Sequence, residues 1–175
     1  MVRQLFKNEP DALADLRLLE TGELEPAEFE RRFGARLGVA ETKGLITRMF
    51  AAVRPEERLI EAVRGARASG VRTALISNSW GTSIYDPGAL DGLFDVVIIS
   101  GEVGLHKPQP EIYRLTAERL GVEPEECVFV DDLRENVRGA EQVGMTAILH
   151  RDPEATVARL EELFEMSLPG TGRAT

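Results

Sequence analysis

The stretch Cys127-Val128-Phe129-Val130-Asp131-Asp132 constrains this chain more than any other. A short apolar run that ends in turn-forming residues predicts a strand buried on both faces, as in a parallel sheet. A helical pattern begins at once at Leu133, so the run reads as the strand-to-helix half of a βαβ unit. Open α/β sheets bind ligands in the crevice beyond the carboxyl ends of their strands. Two adjacent carboxylates there repel each other unless a cation lies between them or one takes a proton. Mg²⁺, a hard ion that prefers oxygen ligands, is the simplest occupant. The plainer alternative is that Asp132 only caps the following helix.

Upstream of this strand the pattern changes at Gly70. Residues 9–69 read as helices: one from Pro10, one from Glu25-Pro26, one over 42–52 and one over 55–69. The second carries Phe29, Phe33 and Leu37 at four-residue spacing, with Gly38 as its stop. From Gly70 onward, strands over 71–77, 95–100, 127–130 and 145–149 are separated by helical stretches. A loop and short helix run to Leu93, and helices follow over 109–120, over 133–143 and from Asp152-Pro153 to about Glu165. Such alternation implies parallel crossovers and a three-layer, Rossmann-like α/β sheet. The expected division is a small helical domain over 1–69, an α/β core over 70–166, and a tail over 167–175. The turn-rich composition of the tail predicts disorder.

Two further strand ends carry candidate chemistry. Ser77-Asn78-Ser79 follows the first strand, where a hydroxyl and backbone amides can hold phosphate oxygens, although the same tripeptide makes an ordinary turn. Gly101 to Pro110 forms a loop with two glycines, and two prolines fix the backbone around Lys107. Only three of the 21 basic residues are lysines, Lys7, Lys43 and Lys107, which singles this ammonium out. A hydroxyl to fix a phosphoryl group, an ammonium to offset its charge and carboxylates to hold a bridging metal are what phosphoryl chemistry needs. The net charge of −9 argues against nucleic acid and against an anionic membrane surface. No run is long and apolar enough to span a membrane, and the expected location is cytoplasmic. The single cysteine, Cys127, lies in the expected buried strand and reads as an inert thiol.

Those motifs, taken in order, resemble the haloacid dehalogenase-like (HAD) hydrolase superfamily, in the subgroup with a small helical cap. The resemblance runs from about Val71 to Phe164, through ALISNS, EVGLHKPQPEIY and VFVDDLRENVRGAEQVGM; residues 9–68, with LETGELEPAEFERRFGARLG, resemble the cap. It implies that Ser77 and Asn78 bind a phosphoryl group, that Lys107 steadies the charges of nucleophile and phosphate, and that Asp131 and Asp132 serve Mg²⁺. The implied activity is a Mg²⁺-dependent phosphatase acting on a small phosphorylated metabolite. A response-regulator receiver uses similar groups, but with the acidic pair first and the lysine last, the reverse of the order here.

One part of the family pattern is missing. The family opens with a strand ending in DxDx(T/V), whose first Asp is the nucleophile, and this sequence has no such motif. Val2 to Phe6 has the character of a short strand, but Lys7-Asn8 stands where the Asp is needed. In this fold the missing strand is central, between the strand ending at Ser77 and the one ending at Val130. Its loss would leave two unpaired edges, each adhesive if exposed. The expectations are that the gap closes, that another copy of the chain covers the edge in a homo-oligomer, or that the natural protein starts further upstream. Two functional readings stay open: a phosphatase-like hydrolase inactive as this chain alone, or a non-catalytic scaffold that binds Mg²⁺ and a phosphorylated ligand or partner.

Overall fold

Proline in the first turn and glycine past the last one bound several helices where the sequence places them. In the computed structural model, which describes residues 10–51, 55–80 and 92–169, α1 is Pro10–Glu20 and α2 is Pro26–Leu37. Gly38 closes α2 in the left-handed region at φ 67, a conformation that costs glycine nothing. The third helix is shorter than expected. Residues 43–44 form a turn, and α3 is Leu45–Phe50. It starts late because the Glu30 carboxylate reaches over from α2 and accepts from Gly44 N at 2.9 Å and Ile46 N at 3.0 Å. Those amides would otherwise lack partners at the helix start. α4 follows as Glu57–Ala68.

The strands are also trimmed. β1 is Ala74–Ser77 rather than 71–77, and β2 is Val96–Ile99. Just before β1, Thr73 is held by the start of β2 and the residue before it: its carbonyl accepts from Asp95 N at 2.8 Å and Val96 N at 3.3 Å, and its own N–H donates to the Asp95 side chain, Oδ2, at 2.8 Å. Ser100, expected to end a strand, instead begins the short helix α5, Ser100–Val103. α6 is Pro110–Leu120, β3 is Val128–Asp131, α7 is Arg134–Glu141, β4 is Thr146–Leu149 and α8 is Pro153–Phe164. β3 and β4 are parallel, with Val128 opposite Thr146 and Asp131 opposite Leu149, and α7 forms the crossover between them. The chain is α/β, mostly helical, with parallel strands.

Among the described residues the strands form two pairs, β1 with β2 and β3 with β4, and no described residue runs as a strand between them. One expectation is corrected. β3 is therefore not buried on both faces: Phe129 is buried, while Val128, Val130 and Asp131 are half-buried. A strand with one hydrogen-bonded neighbour among the described residues has less to cover it. The short strand weighed over Val2–Phe6 and most of the loop and helix leading to Leu93 lie outside the described residues.

The chain divides into two compact units, each drawn from three segments. The first is Met1–Val53, Ile76–Pro87 and Ile98–His106; the second is Arg54–Leu75, Gly88–Val97 and Lys107–Thr175. The core of the first is built from Leu16 and Leu19 of α1, Phe29 and Phe33 of α2, and Leu45 and Ile46 of α3. Burial of each such side chain stabilises by about 1.5–3 kcal/mol before entropy is counted. In the second unit, Ala62 and Ala66 of α4 pack with Val157 of α8 and with Leu168. Leu168 belongs to the stretch whose composition predicts disorder, yet it is buried, and its N–H donates to Glu161 Oε1 at 2.7 Å. Residues 170–175 of that stretch lie outside the described residues. Among the described residues no helix is long and apolar enough to cross a membrane.

Candidate functional site

In the second unit, the strand-end carboxylate and the lysine meet. Lys107 Nζ lies 2.7 Å from Asp131 Oδ2, with side-chain exposures of 12% and 7%. Both charges are thus largely withdrawn from water, and the pair must satisfy itself. The ammonium also sits 5.7 Å from the centroid of the Phe129 ring. The other carboxylate oxygen, Asp131 Oδ1, accepts from Leu133 N at 2.8 Å and from Asn136 Nδ2 at 2.9 Å. Three donors from three residues therefore hold one carboxylate.

Asn136 is itself buried, and its amide orientation follows from that contact, since the reverse would set oxygen against oxygen. Its Oδ1 is left buried without a partner. Its backbone carbonyl accepts from Tyr113 Oη at 2.8 Å, and the Tyr113 ring meets Phe129 edge-on at 5.2 Å. Burial, with a smaller effect from Asp131 and then Glu135, pushes the Tyr113 phenol well above its ordinary range, so it stays a donor. Helix α7 can bring Asn136 this close because Gly139 has no side chain. A Cβ there would lie 2.6 Å from the Pro108 carbonyl oxygen, on the segment that carries Lys107.

Asp132 is placed differently. It is exposed, and its backbone carbonyl is 3.4 Å from Arg151 Nη1. It does not cap α7: the residue before that helix is Leu133, and Asp131, not Asp132, takes the Leu133 N–H. Cys127, just before β3, has its thiol pushed up by burial and then by the Glu126 charge, which keeps it protonated at neutral pH. Among the described residues no three of His, Cys, Asp and Glu are grouped to hold a metal.

The hydroxyl-bearing loop belongs to the first unit. Ser77 closes β1 and is buried; its Oγ lies 3.0 Å from Ser79 Oγ, and Asn78 between them is half-buried. Ser79 N in turn donates to Ser100 Oγ at 2.8 Å. Of the residues singled out from sequence, the structure brings Lys107 and Asp131 into contact. Ser77 and Asn78 sit together in the other unit, and Asp132 is turned to solvent. Sequence reasoning missed Asn136, Ser79 and Ser100 as partners of these groups. Asn136 carried a usable signal, an amide in the first turn of a helix that starts at the carboxylate. Ser100 carried none, because a serine at a strand end is ordinary.

Comparison with known proteins adds the following. The family described as haloacid dehalogenase-like hydrolase matches residues 3–144. Acyl-CoA dehydrogenase family member 10 of Mus musculus is 31% identical over 84% of this chain, which spans 15% of that protein. Glyceraldehyde 3-phosphate phosphatase of Methanopyrus kandleri is 31% identical over 74% of this chain, which spans 60% of it. The chain thus covers less than two thirds of either relative's length. Among solved structures, a HAD family enzyme of Bacteroides thetaiotaomicron, in complex with magnesium and inorganic phosphate, superposes with a TM-score of 0.66. It shares 22% identity and covers 85% of this chain and 82% of its own.

Proposed function

The chain belongs to the haloacid dehalogenase-like hydrolases, and on that premise we propose that it binds a small phosphorylated metabolite in the manner of a Mg²⁺-dependent phosphatase. The observation that carries this reading is the buried pair of Lys107 and Asp131, 2.7 Å apart and held further by Leu133 N and Asn136. A fold keeps a desolvated ammonium at a strand end at some cost, and an anionic ligand gives that cost a use. In this reading the Ser77 hydroxyl and Asn78 hold phosphoryl oxygens, and Lys107 offsets their charge. The phosphatase relative and the magnesium-and-phosphate complex of the Bacteroides enzyme support the substrate class and the ion.

The carboxylates present fit a magnesium ion that keeps most of its water. A carboxylate offers about four acceptor positions, and Asp131 has three occupied, by Lys107, Leu133 and Asn136. One position is left there, and the Asp132 carboxylate, next in sequence, is exposed. Mg²⁺ is commonly held by one or two carboxylates plus substrate phosphate. When bound, the ion would add positive charge against the phosphoryl oxygens. Asp131 and Asp132 would hold it, while Lys107 holds the second face of the Asp131 carboxylate.

The sequence has no DxDx(T/V) motif, so no residue of this chain is assigned the covalent step. That feature favours a second reading, a HAD-like scaffold that binds Mg²⁺ and a phosphorylated ligand or partner without turnover. Calorimetry with MgCl₂ and inorganic phosphate, alongside hydrolysis of p-nitrophenyl phosphate, separates the two. Binding with metal-dependent hydrolysis supports the phosphatase. Binding without hydrolysis supports the scaffold. Under both readings Asp131→Asn weakens Mg²⁺ binding, and a chain that takes up neither ion overturns both.

A further inference from the structure

The first unit holds a fully buried hydroxyl that the proposed chemistry does not use. Ser100 Oγ, at the start of α5, accepts the Ser79 N–H at 2.8 Å. Its own proton faces two carbonyl oxygens, Glu20 O at 2.5 Å and Ser79 O at 3.0 Å. Its neighbour Gly101 donates its N–H to the same Ser79 carbonyl at 2.9 Å. Residues 100 and 101 thus hold Ser79 by both its N–H and its carbonyl. The Ser79 side chain is buried as well, and it is the partner of Ser77 Oγ at 3.0 Å. One residue on, Trp80 packs against the apolar cluster of α1, α2 and α3.

The same hydroxyl reaches the helical hairpin. Glu20 is the last residue of α1, where carbonyls have no partner within the helix, and Ser100 supplies one. The turn after α1 closes in beside it. Gly22 stands at φ 77, and a Cβ there would lie 2.7 Å from Gly101 O. Its single proton is shared by two carbonyls, and one of its two lone pairs takes the Ser79 N–H. With alanine in its place, the buried Ser79 N–H loses its acceptor and the Glu20 carbonyl loses this donor, and the loop must shift to recover them.

We propose that Ser100 is a positioning residue that locks the Ser77–Ser79 loop to the end of α1. The helical hairpin and the anion-holding hydroxyl then act as one body, and Ser77 presents its Oγ in a single orientation fixed through Ser79. This deepens the reading of Ser77 as a phosphoryl-binding residue and rests on it. It also predicts that a change at the hairpin turn, which touches no ligand, alters anion affinity.

The test uses Trp80, the single tryptophan of the chain, as a reporter inside the locked segment. Inorganic phosphate is titrated into the full chain and into Ser100→Ala, by calorimetry and by Trp80 emission, well below the thermal midpoint of each. The expected result is a phosphate affinity weakened about tenfold, the scale of one lost buried hydrogen bond, with a red-shifted Trp80 spectrum. A purely structural serine would lower the midpoint and leave both readouts in place. A folded Ser100→Ala that binds phosphate like the parent overturns the proposal. If that variant does not fold, Gly22→Ala takes its place: it keeps Ser100 but drives the turn off Gly101, and unchanged affinity again overturns it. If the parent itself takes up no phosphate, the phosphoryl reading of Ser77 falls. The Trp80 spectrum of Ser100→Ala then decides positioning by itself, a red shift supporting it and an unchanged spectrum overturning it.

Discussion

Among the described residues, two buried polar clusters mark strand ends, and they are held by opposite means. In the second unit a full charge, Asp131, is surrounded by an ammonium, a backbone N–H and an amide. In the first unit Ser77, Ser79 and Ser100 carry no charge, and backbone groups do much of the holding. A charged cluster is costly to leave half-made, because the remaining ion stays desolvated. A neutral one costs far less per bond and can recruit water. Charge therefore fixes one set of residue types at one set of positions, whereas the neutral cluster depends on backbone placement that many sequences provide.

The largest expected effect tests the charged side. Lys107→Met leaves Asp131 buried without its cation and should cost about 3–5 kcal/mol in urea unfolding. A loss below about 1 kcal/mol would put the pair among exposed ion pairs and remove the contrast. Gly139→Ala comes next, at about 1–3 kcal/mol, because the new methyl meets a backbone carbonyl, Pro108 O, at 2.6 Å. That carbonyl cannot rotate aside, so α7 must withdraw and carry Asn136 from Asp131. Weakened Mg²⁺ uptake in the same variant would tie the charged cluster to the approach of the helix, and unaltered uptake would separate them. On the neutral side, Ser79→Ala removes one hydroxyl partner of Ser77 and should cost about 1 kcal/mol. A loss as large as that of Lys107→Met would show that lack of charge does not make the first cluster cheap.

The same contrast explains what could be read in advance. Lys107 and Asp131 stood out because lysine is rare here and because a carboxylate ending an apolar run needs a partner. Helix limits at Gly38 and Gly121 were visible in the glycines themselves, both in the left-handed region in the structure. What escaped depended on contacts across long stretches of chain. The late start of α3 is set by Glu30 from another helix, and the short β1 reflects the hold of Asp95 on Thr73. Ser100 pairs with residues 80 and 21 positions away, and nothing local distinguishes it from any serine beside a glycine. Asp132 looked equivalent to Asp131. Only the direction each side chain takes from the strand separates a buried carboxylate held by three donors from an exposed one.

The smallest effect concerns where the first unit does keep charge, on the faces of α1 and α2 rather than at a strand end. Asp15 is buried, which raises its pKa, but the guanidinium groups of Arg36 and Arg32, at 2.6 and 2.9 Å, outweigh burial and hold it below its ordinary value. Glu28, bound by Arg31 and Arg32, is held down to about 2 from 4.5. For a carboxyl lowered on folding, the ionised form favours the folded state. That contribution is complete above the unfolded pKa and disappears as pH falls through the folded one. The thermal midpoint should therefore hold down to about pH 4.5 and fall from there toward about pH 2. Arg32→Gln removes a partner of both carboxylates and should flatten part of that fall. A midpoint that drops equally steeply in the variant would assign the acid sensitivity elsewhere. Asp95 of the second unit, lowered first by the Thr73 N–H and also by Arg67, is the alternative source. Arg67→Gln alone would then be the variant that flattens the curve, and acid sensitivity, like the buried ion pair, would belong to the second unit.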